Sequence, residues 1–502
     1  MKNYKLLFLF IILAIFFSSL DFFGIFLTPQ DYFYYHPDSD VNVYYTYMDQ
    51  AREGRFLFCN QFSSEPHPCL LFFPVWYAGG VIGSIFNLSN LAVFLVIRFL
   101  VFLLFTYILW KFCFYLFKEK ALVTFLLAIF SGGLVLFYYT NFFAISFHNP
   151  LHMIVALLMI LILWITTIIQ KDESRWYYWV ALFVLSLLVT MMHTYEAIIL
   201  FINYAVLLLF GGYLGNKNFR NSLFIFFLVV LGTGLGSLYY LFLFIKYQAY
   251  QDWLIFNYLP IHDLKSVIIN YGLLLPLSFV AVYLIFKEKK NLKFWAVIIS
   301  WFIGGLTAVF LPLYFNNKLL LSWYISLALL TAYTLIYFWQ QDYFLRYKKT
   351  VFISAVVLLI SGNLYFYSLN IYKIYFIGNP WFLPTSYLKP LFWLKQQSSL
   401  DEVVAASYKW ETFLSAYAGV RSLVGSNQSN DEENKKTFIK YLFIDNDNNN
   451  DYLKRQQLIG YKVDYLLYTV LEQEMGSFNP AEKKYLKEIY NDGWAKIYKV
   501  IK

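Results

Sequence analysis

The chain has 502 residues, of which 60% are hydrophobic and 14% charged, with 39 basic against 30 acidic residues and a mean hydropathy of +0.55. Soluble domains carry about a quarter charged residues, so a soluble enzyme, a disordered chain and a fibre are excluded and a polytopic membrane protein remains. The net charge of +9 is no sign of a nucleic-acid partner, because surplus Lys and Arg in such a protein orient its spans. Three cysteines, Cys59, Cys69 and Cys113, are too few for a disulfide scaffold and wrongly spaced for zinc.

A crossing helix needs about 20 apolar residues. Eleven stretches qualify: Lys5–Leu27, Leu91–Phe117, Ala121–Tyr139, Pro150–Gln170, Trp176–Met192, Tyr195–Leu214, Asn221–Tyr247, Ser266–Phe286, Lys293–Leu313, Leu319–Gln340 and Thr350–Asn370. No small-x-small cleavage site follows the first, so it is expected to stay as an anchor. A twelfth stretch, Leu70–Phe86, is shorter and holds Pro74, Gly79, Gly80 and Gly83. With that stretch not crossing and the N-terminus in the cytoplasm, the inner side carries fifteen Lys and Arg and the short outer loops three, Lys246, Lys265 and Lys318. This is the positive-inside pattern, and letting Leu70–Phe86 span would invert it. The segment is therefore expected to be juxtamembrane or re-entrant, covered by protein.

The expected division is a transmembrane domain over 1–371, with an outer loop at 28–69 and the juxtamembrane segment at 70–88, followed by an extracytoplasmic α/β domain over 372–502. In that tail, Glu402–Ala406, Val463–Thr469 and Trp494–Ile501 read as strands, and Asp431–Phe443 and Asp451–Ile459 as helices. The polar run Asp445–Asp451 lacks the Gly and terminal Glu of a calcium loop.

The outer loop holds the first candidate site. Pro37 and Gly54 bracket a helix with Ser39 or Asp40 as its cap. Tyr44, Tyr47, Met48 and Ala51 recur at three- and four-residue intervals, which predicts a short amphipathic helix on the membrane surface. Its start presents Asp38 and Asp40. One could cap the helix while the other is solvated. Alternatively the pair supplies a general base, with or without a divalent cation held across Asp-x-Asp. Other polar groups gather at the same expected face: His148, Asn149 and His152 at one span end, His193-Thr194-Tyr195-Glu196 in a tight turn, and Lys318 at another span end. Several such groups from separate spans suggest a polar cavity. Arg98 lies inside a span, either functional or snorkelling outward. Gly232-Thr-Gly-Leu-Gly236, also inside a span, suits close helix packing. Cys59 and Cys69 share the outer loop, and the sequence leaves open whether they are bridged.

These features together resemble the GT-C superfamily of integral-membrane glycosyltransferases, in the branch near protein mannosyltransferases and lipid A aminoarabinose transferases. The resemblance rests on Asp40 and Tyr44 at an Asp-x-x-x-Tyr spacing, then Gln50 and Gly54, then Ser64-Glu65-Pro66. His193-Thr194-Tyr195-Glu196 stands where relatives have His-Pro-Tyr-Asp, and Asn317-Lys318 where they often have paired Arg. In the tail, Tyr417–Arg421 and Trp494–Tyr498 resemble the relatives' outer domain. The resemblance implies a GT-C-like membrane fold and an inverting transfer of a hexosyl or pentosyl group. The donor would be a polyprenyl-phosphate sugar and the acceptor an extracytoplasmic glycan, lipid or protein. Asp40 would act as base with Asp38 secondary. Tyr44, Glu65, His148, His193, Tyr195, Glu196, Lys265 and Lys318 would contact donor or acceptor. The rival readings are a transporter or flippase of lipid-linked sugars, for which no internal repeat is seen, and a noncatalytic envelope-assembly protein.

Overall fold

Apolar runs separated by basic turns fold as helices, because only a helix satisfies every backbone amide within one segment in lipid. The computed structural model describes residues 3–36, 39–133, 142–143, 149–171, 175–247, 250, 264–289, 291–312, 316–341, 348–377, 382–425, 431–444 and 450–501. Among these, eight helical runs are long and apolar enough to cross a membrane: Tyr4–Phe26, Asn90–Phe130, Pro150–Gln170, Glu196–Tyr213, Lys217–Lys246, Leu292–Phe310, Leu320–Gln340 and Lys349–Ile377. Lys265–Tyr271 and Leu274–Glu288, bent by 83°, make a ninth if the pair is one span.

The chain is thus an α-helical polytopic membrane protein, with eight to nine such runs among the described residues against the eleven expected. Two segments make the difference. Trp176–Met192 is a 17-residue helix, shorter than any of the eight. The expected Ala121–Tyr139 span follows the Lys118–Lys120 turn as helix Ala121–Phe130, within one 41-residue apolar run, Asn90–Phe130, and its residues 134–139 lie outside those described. That run is not a straight rod. The Phe17 ring lies 5.1 Å from the ring of Phe102 and 6.2 Å from that of Phe130. On one straight axis those two residues would be roughly 42 Å apart. The chain folds back at the Lys118–Lys120 turn, where Lys118 takes φ +50°.

The chain forms two compact units. The first holds Met1–Phe23, Val96–Tyr240 and Tyr258–Ile377. Its most buried long helices are Leu320–Gln340, Leu292–Phe310 and Pro150–Gln170. Small residues set the closest approaches. Gly232 faces the Phe183 carbonyl and Ser186, and Gly236 faces Thr190, so the Gly232–Gly236 stripe seats its helix on Trp176–Met192 as its composition suggested. Arg98 is fully buried, ion-paired with Asp21, and its Nη2 donates to the Phe17 carbonyl at 3.3 Å. Its charge is met inside the bundle, so it does not snorkel.

The second unit gathers Gly24–Leu95, Leu241–Asn257 and Gly378–Lys502. Its strands are β1 (Tyr32–Tyr34), β2 (Phe382–Pro384), β3 (Val403–Ala405), β4 (Arg421–Ser422), β5 (Val463–Tyr468), β6 (Leu486–Asn491) and β7 (Lys496–Val500). A five-stranded sheet has the order β4-β3-β5-β7-β6, with β3 parallel to β4 and β5 and β7 antiparallel to β5 and β6. Alternation along the strands feeds two cores. Val403 and Leu466 join Phe438, Ile439 and Leu458 on one face, and Val404 and Leu467 join Leu391, Trp410 and Leu414 on the other. Helices Glu432–Ile444 and Asp451–Gly460 therefore cover one side and Leu388–Gln397 and Glu411–Ala418 the other, giving the small α/β domain expected for the tail. The short β4 and the half-polar edge strand β6 carried no sequence signal. Residues 445–449 of the polar run lie outside the described residues.

β1 pairs antiparallel with β2 and ties the outer loop to the tail. The loop helix runs Ser39–Arg52 and ends where Gly54 takes φ +85°. It is not the surface-lying amphipathic helix expected, because every residue from Val41 to Ala51 is buried. Tyr44 stacks on Trp76 with ring centroids 4.2 Å apart, and Tyr47 lies 4.9 Å from Phe73 and 5.2 Å from Phe58. Side chains that read as an interfacial stripe are core. Helix Pro74–Ile85 has 12 residues, roughly 18 Å, too short for a hydrocarbon layer of about 30 Å. It packs on the loop helix through Gly80, where an added Cβ would stand 2.5 Å from the Met48 carbonyl oxygen. Gly80→Ala is accordingly expected to cost roughly 1–3 kcal/mol through overpacking. A lowered melting temperature in detergent checks this, and an unchanged one would show that the two helices can part freely.

Candidate active site

In the first unit, four elements bring polar side chains to one buried place. Helix Trp176–Met192 stops at His193, whose amide reaches the Val189 carbonyl, and a tight turn through Thr194 and Tyr195 starts the next helix at Glu196. The Glu196 amide donates to the His193 carbonyl at 3.1 Å, which folds the two side chains together. Glu196 is fully buried. Its Oε2 accepts from the Ser322 hydroxyl, and its Oε1 lies 3.4 Å from His193 Nδ1. The His193 ring sits 5.3 Å from that of His152 and 5.2 Å from that of Tyr195. Lys318 is 9% exposed and holds its ammonium 4.3 Å from the centre of the Tyr195 ring. Asn149 caps helix Pro150–Gln170 by accepting from the Leu151 amide at 2.8 Å, so the positive end of that helix opens near His152. A largely desolvated ammonium, two imidazoles, a helix start and one buried carboxylate make up this cluster.

Of the residues expected here, His193, Tyr195, Glu196 and Lys318 are brought together. Lys265 is exposed on helix Leu264–Tyr271 and has no ion pair among the described residues. His148 lies outside the described residues. Ser322, which fixes Glu196, carried no sequence signal.

Asp40, Tyr44 and Glu65 belong to the second unit. Asp40 sits in the first turn of its helix, partly exposed, directly before the buried stretch. A carboxylate is favoured there by the helix start. Tyr44 is one turn further on, and its stack with Trp76 holds the turn that carries Asp40. Asp38 lies outside the described residues, and among those described no group of three His, Cys, Asp or Glu could hold a metal ion.

Glu65 stands in a loop closed by a Cys59–Cys69 disulfide. Its carboxylate meets the Lys435 ammonium at 2.6 Å and accepts from Ser63. Burial alone would raise the Glu65 carboxyl, but the Lys435 charge and these hydrogen bonds hold it below its usual range. Lys435 itself is fully buried, so the pair latches the loop to helix Glu432–Ile444. Nearby, His67 Nε2 accepts from the Asn60 amide at 3.0 Å while Nδ1 donates to the Glu65 carbonyl at 2.8 Å. Burial pushes the His67 pKa down. A depressed histidine stabilises the loop above the unfolded pKa of about 6.5 and ceases to do so as pH falls through the folded value. Protection of the Asn60 amide from exchange, corrected for intrinsic rate, should therefore fall below about pH 6.5. Constant protection down to about pH 5 would contradict this.

The second unit also holds a mainly apolar cavity of about 530 Å³ lined by Tyr34, Tyr45 and Tyr417, with Asp49, Arg52 and Lys395 among its polar groups. Asp49 pairs with Lys395 at 2.7 Å and accepts from Asn90 at 3.1 Å. Neither charge stood out in the sequence, because an acid on a helix expected at the membrane surface is ordinary.

No family model and no curated protein matches the sequence. Solved structures match it in fold across nearly the whole chain. Oligosaccharyltransferase AglB from Archaeoglobus fulgidus, in complex with an inhibitory peptide and a dolichol-phosphate, is similar with a TM-score of 0.62 and 13% identity, over 99% of this chain and 74% of that one. The oligosaccharyltransferase of the same organism, tethered with an acceptor peptide containing the NVT sequon, gives 0.60 and 14% over the same shares. ArnT from Cupriavidus metallidurans, bound to undecaprenyl phosphate, gives 0.51 and 11% over 99% of this chain and 98% of that one. The chain has the fold of the GT-C membrane glycosyltransferases.

Proposed function

We propose that this chain is a glycosyltransferase that moves a sugar from a polyprenyl-phosphate donor to an acceptor on the outer side of the membrane. The observation that carries the reading is the whole-chain likeness to proteins solved with dolichol-phosphate and undecaprenyl phosphate. The buried cluster around Lys318 adds a cation of the kind such a phosphate needs. In this reading the N-terminus is cytoplasmic and the tail domain extracytoplasmic, which the fifteen-to-three charge bias supports.

Asp40 takes the proton from an acceptor hydroxyl as its oxygen attacks the anomeric carbon. The bond from that carbon to the phosphate oxygen breaks, with inversion, and polyprenyl phosphate leaves. Lys318 meets the charge that grows on the leaving phosphate, which lowers the barrier only if it is already aimed there. The Tyr195 ring holds its ammonium in place, and Glu196 with His193 fixes the turn that carries Tyr195. Lys is a point charge where relatives present a fork, so one contact carries the phosphate.

Polyprenyl phosphate binding by purified protein tests this assignment. Lys318→Gln should weaken it by roughly 10- to 100-fold, the worth of a charge-assisted hydrogen bond, and Lys318→Arg should restore most of it. Equal affinity in all three proteins would remove Lys318 from the donor site.

A further inference from the structure

A polar cavity opens in the first unit, away from the Lys318 cluster. It measures about 460 Å³ and is lined by Lys118 and Lys120 of the reversing turn, Glu288 at the end of helix Leu274–Glu288, and Trp295, Tyr333 and Tyr337. Ser322 of the buried cluster and Gln340 of this cavity lie at opposite ends of helix Leu320–Gln340, roughly 27 Å apart along its axis. The two places are separate sites at opposite ends of the span.

Three features of the lining point to one ligand chemistry. Among the described residues neither Lys118 nor Lys120 is ion-paired with a carboxylate, so two cations share the mouth of the cavity. Glu288 pairs with no cation among the described residues and lines the cavity together with Tyr333, so a lone carboxylate shares the space with the two lysines. The third feature is an aromatic wall, in which Tyr333 packs 4.8 Å from Trp295 and 6.4 Å from Tyr337. A simple anion would use the lysines but meet Glu288 as a repulsion. A simple cation would do the reverse. A group with a phosphate and an ammonium a few bonds apart uses all three, with the phosphate on Lys118 and Lys120 and the ammonium on Glu288 against the ring faces.

We propose that this cavity binds a phosphoethanolamine group, as the headgroup of a bilayer phospholipid or as a soluble phosphate ester. Ethanolamine suits it better than choline, because an N–H ammonium donates to a carboxylate and a trimethylammonium cannot. The cavity lies beside the basic Lys118–Lys120 turn at the end of an apolar helix, the kind of place where Lys and Arg meet lipid headgroups. A volume within the usual range for ligand pockets admits the headgroup with part of its glycerol. The proposal is independent of the sugar-transfer reading.

Native mass spectrometry of the full-length protein in detergent tests it, with phosphatidylethanolamine, phosphatidylcholine and phosphatidylglycerol titrated separately and free phosphoethanolamine as a competitor. The expected result is one retained phosphatidylethanolamine, held at least about tenfold tighter than either other lipid. Displacement by millimolar free phosphoethanolamine would assign the site to the soluble ester, and resistance to it would assign the site to the lipid. Glu288→Gln should abolish the preference over phosphatidylglycerol, by weakening phosphatidylethanolamine and relieving the repulsion of phosphatidylglycerol, and Lys120→Gln should weaken both. Wild-type protein that binds phosphatidylglycerol as tightly as phosphatidylethanolamine overturns the proposal without recourse to any variant.

Discussion

Asp40→Asn is expected to lower sugar transfer by about 10²–10⁴-fold, the usual loss on removing a general base. The substitution keeps the shape and the hydrogen-bonding capacity of the side chain and removes its basicity. It should leave the fold intact, because Asp40 is partly exposed in a first helical turn where Asn is also accepted. The loss should fall on kcat, with polyprenyl phosphate affinity unchanged, since that affinity is assigned to Lys318. Asp38→Asn should cost less. Equal collapse of both variants, relieved by added divalent cation, would instead argue for a metal held across Asp38 and Asp40. Near-normal transfer by Asp40→Asn would take the residue out of the mechanism.

The largest effect on stability is expected at Asp21 and Arg98. Both side chains are 1% exposed and ion-paired inside the helical unit. Asp21→Asn leaves a guanidinium buried without its counter-charge, which typically costs about 3–5 kcal/mol. Asp21→Leu combined with Arg98→Met removes both charges and should recover most of that loss, because a buried pair returns little beyond its own desolvation. Thermal unfolding in detergent distinguishes the two. A double variant as unstable as the single one would mean that Arg98 has a role beyond neutralising Asp21.

Much of the architecture could be read from the sequence, for a physical reason. Bilayer thickness demands long apolar runs, so most spans announce themselves, and β-branched runs marked β3 and β5 in the tail. The turn His193–Glu196 and the cation Lys318 were visible as polar groups at span ends, and the structure brings them into one cluster. What sequence could not show is partnership over distance. Ser322 meets Glu196 across 126 positions, Arg98 meets Asp21 across 77, and Lys395 meets Asp49 across 346. No local pattern encodes such pairs. The loop helix is core where a surface helix is expected, because tyrosine serves equally at an interface and in a core. Only the aromatic partners Trp76, Phe58 and Phe73 decide for the core.

The central claim is sugar transfer from a lipid phosphate, and the fate of the donor tests it most directly. Purified protein should be incubated with a panel of polyprenyl-phosphate sugars labelled in the sugar, with an envelope extract supplying acceptor, and the lipid fraction recovered. Transfer predicts that label leaves the polyprenyl lipid for a new product while free polyprenyl phosphate accumulates, with wild type exceeding Asp40→Asn by at least about a hundredfold. Label that stays on the polyprenyl lipid across the whole panel, or leaves it equally fast with Asp40→Asn, would contradict the account. Movement of intact donor lipid between leaflets without turnover would then favour a flippase.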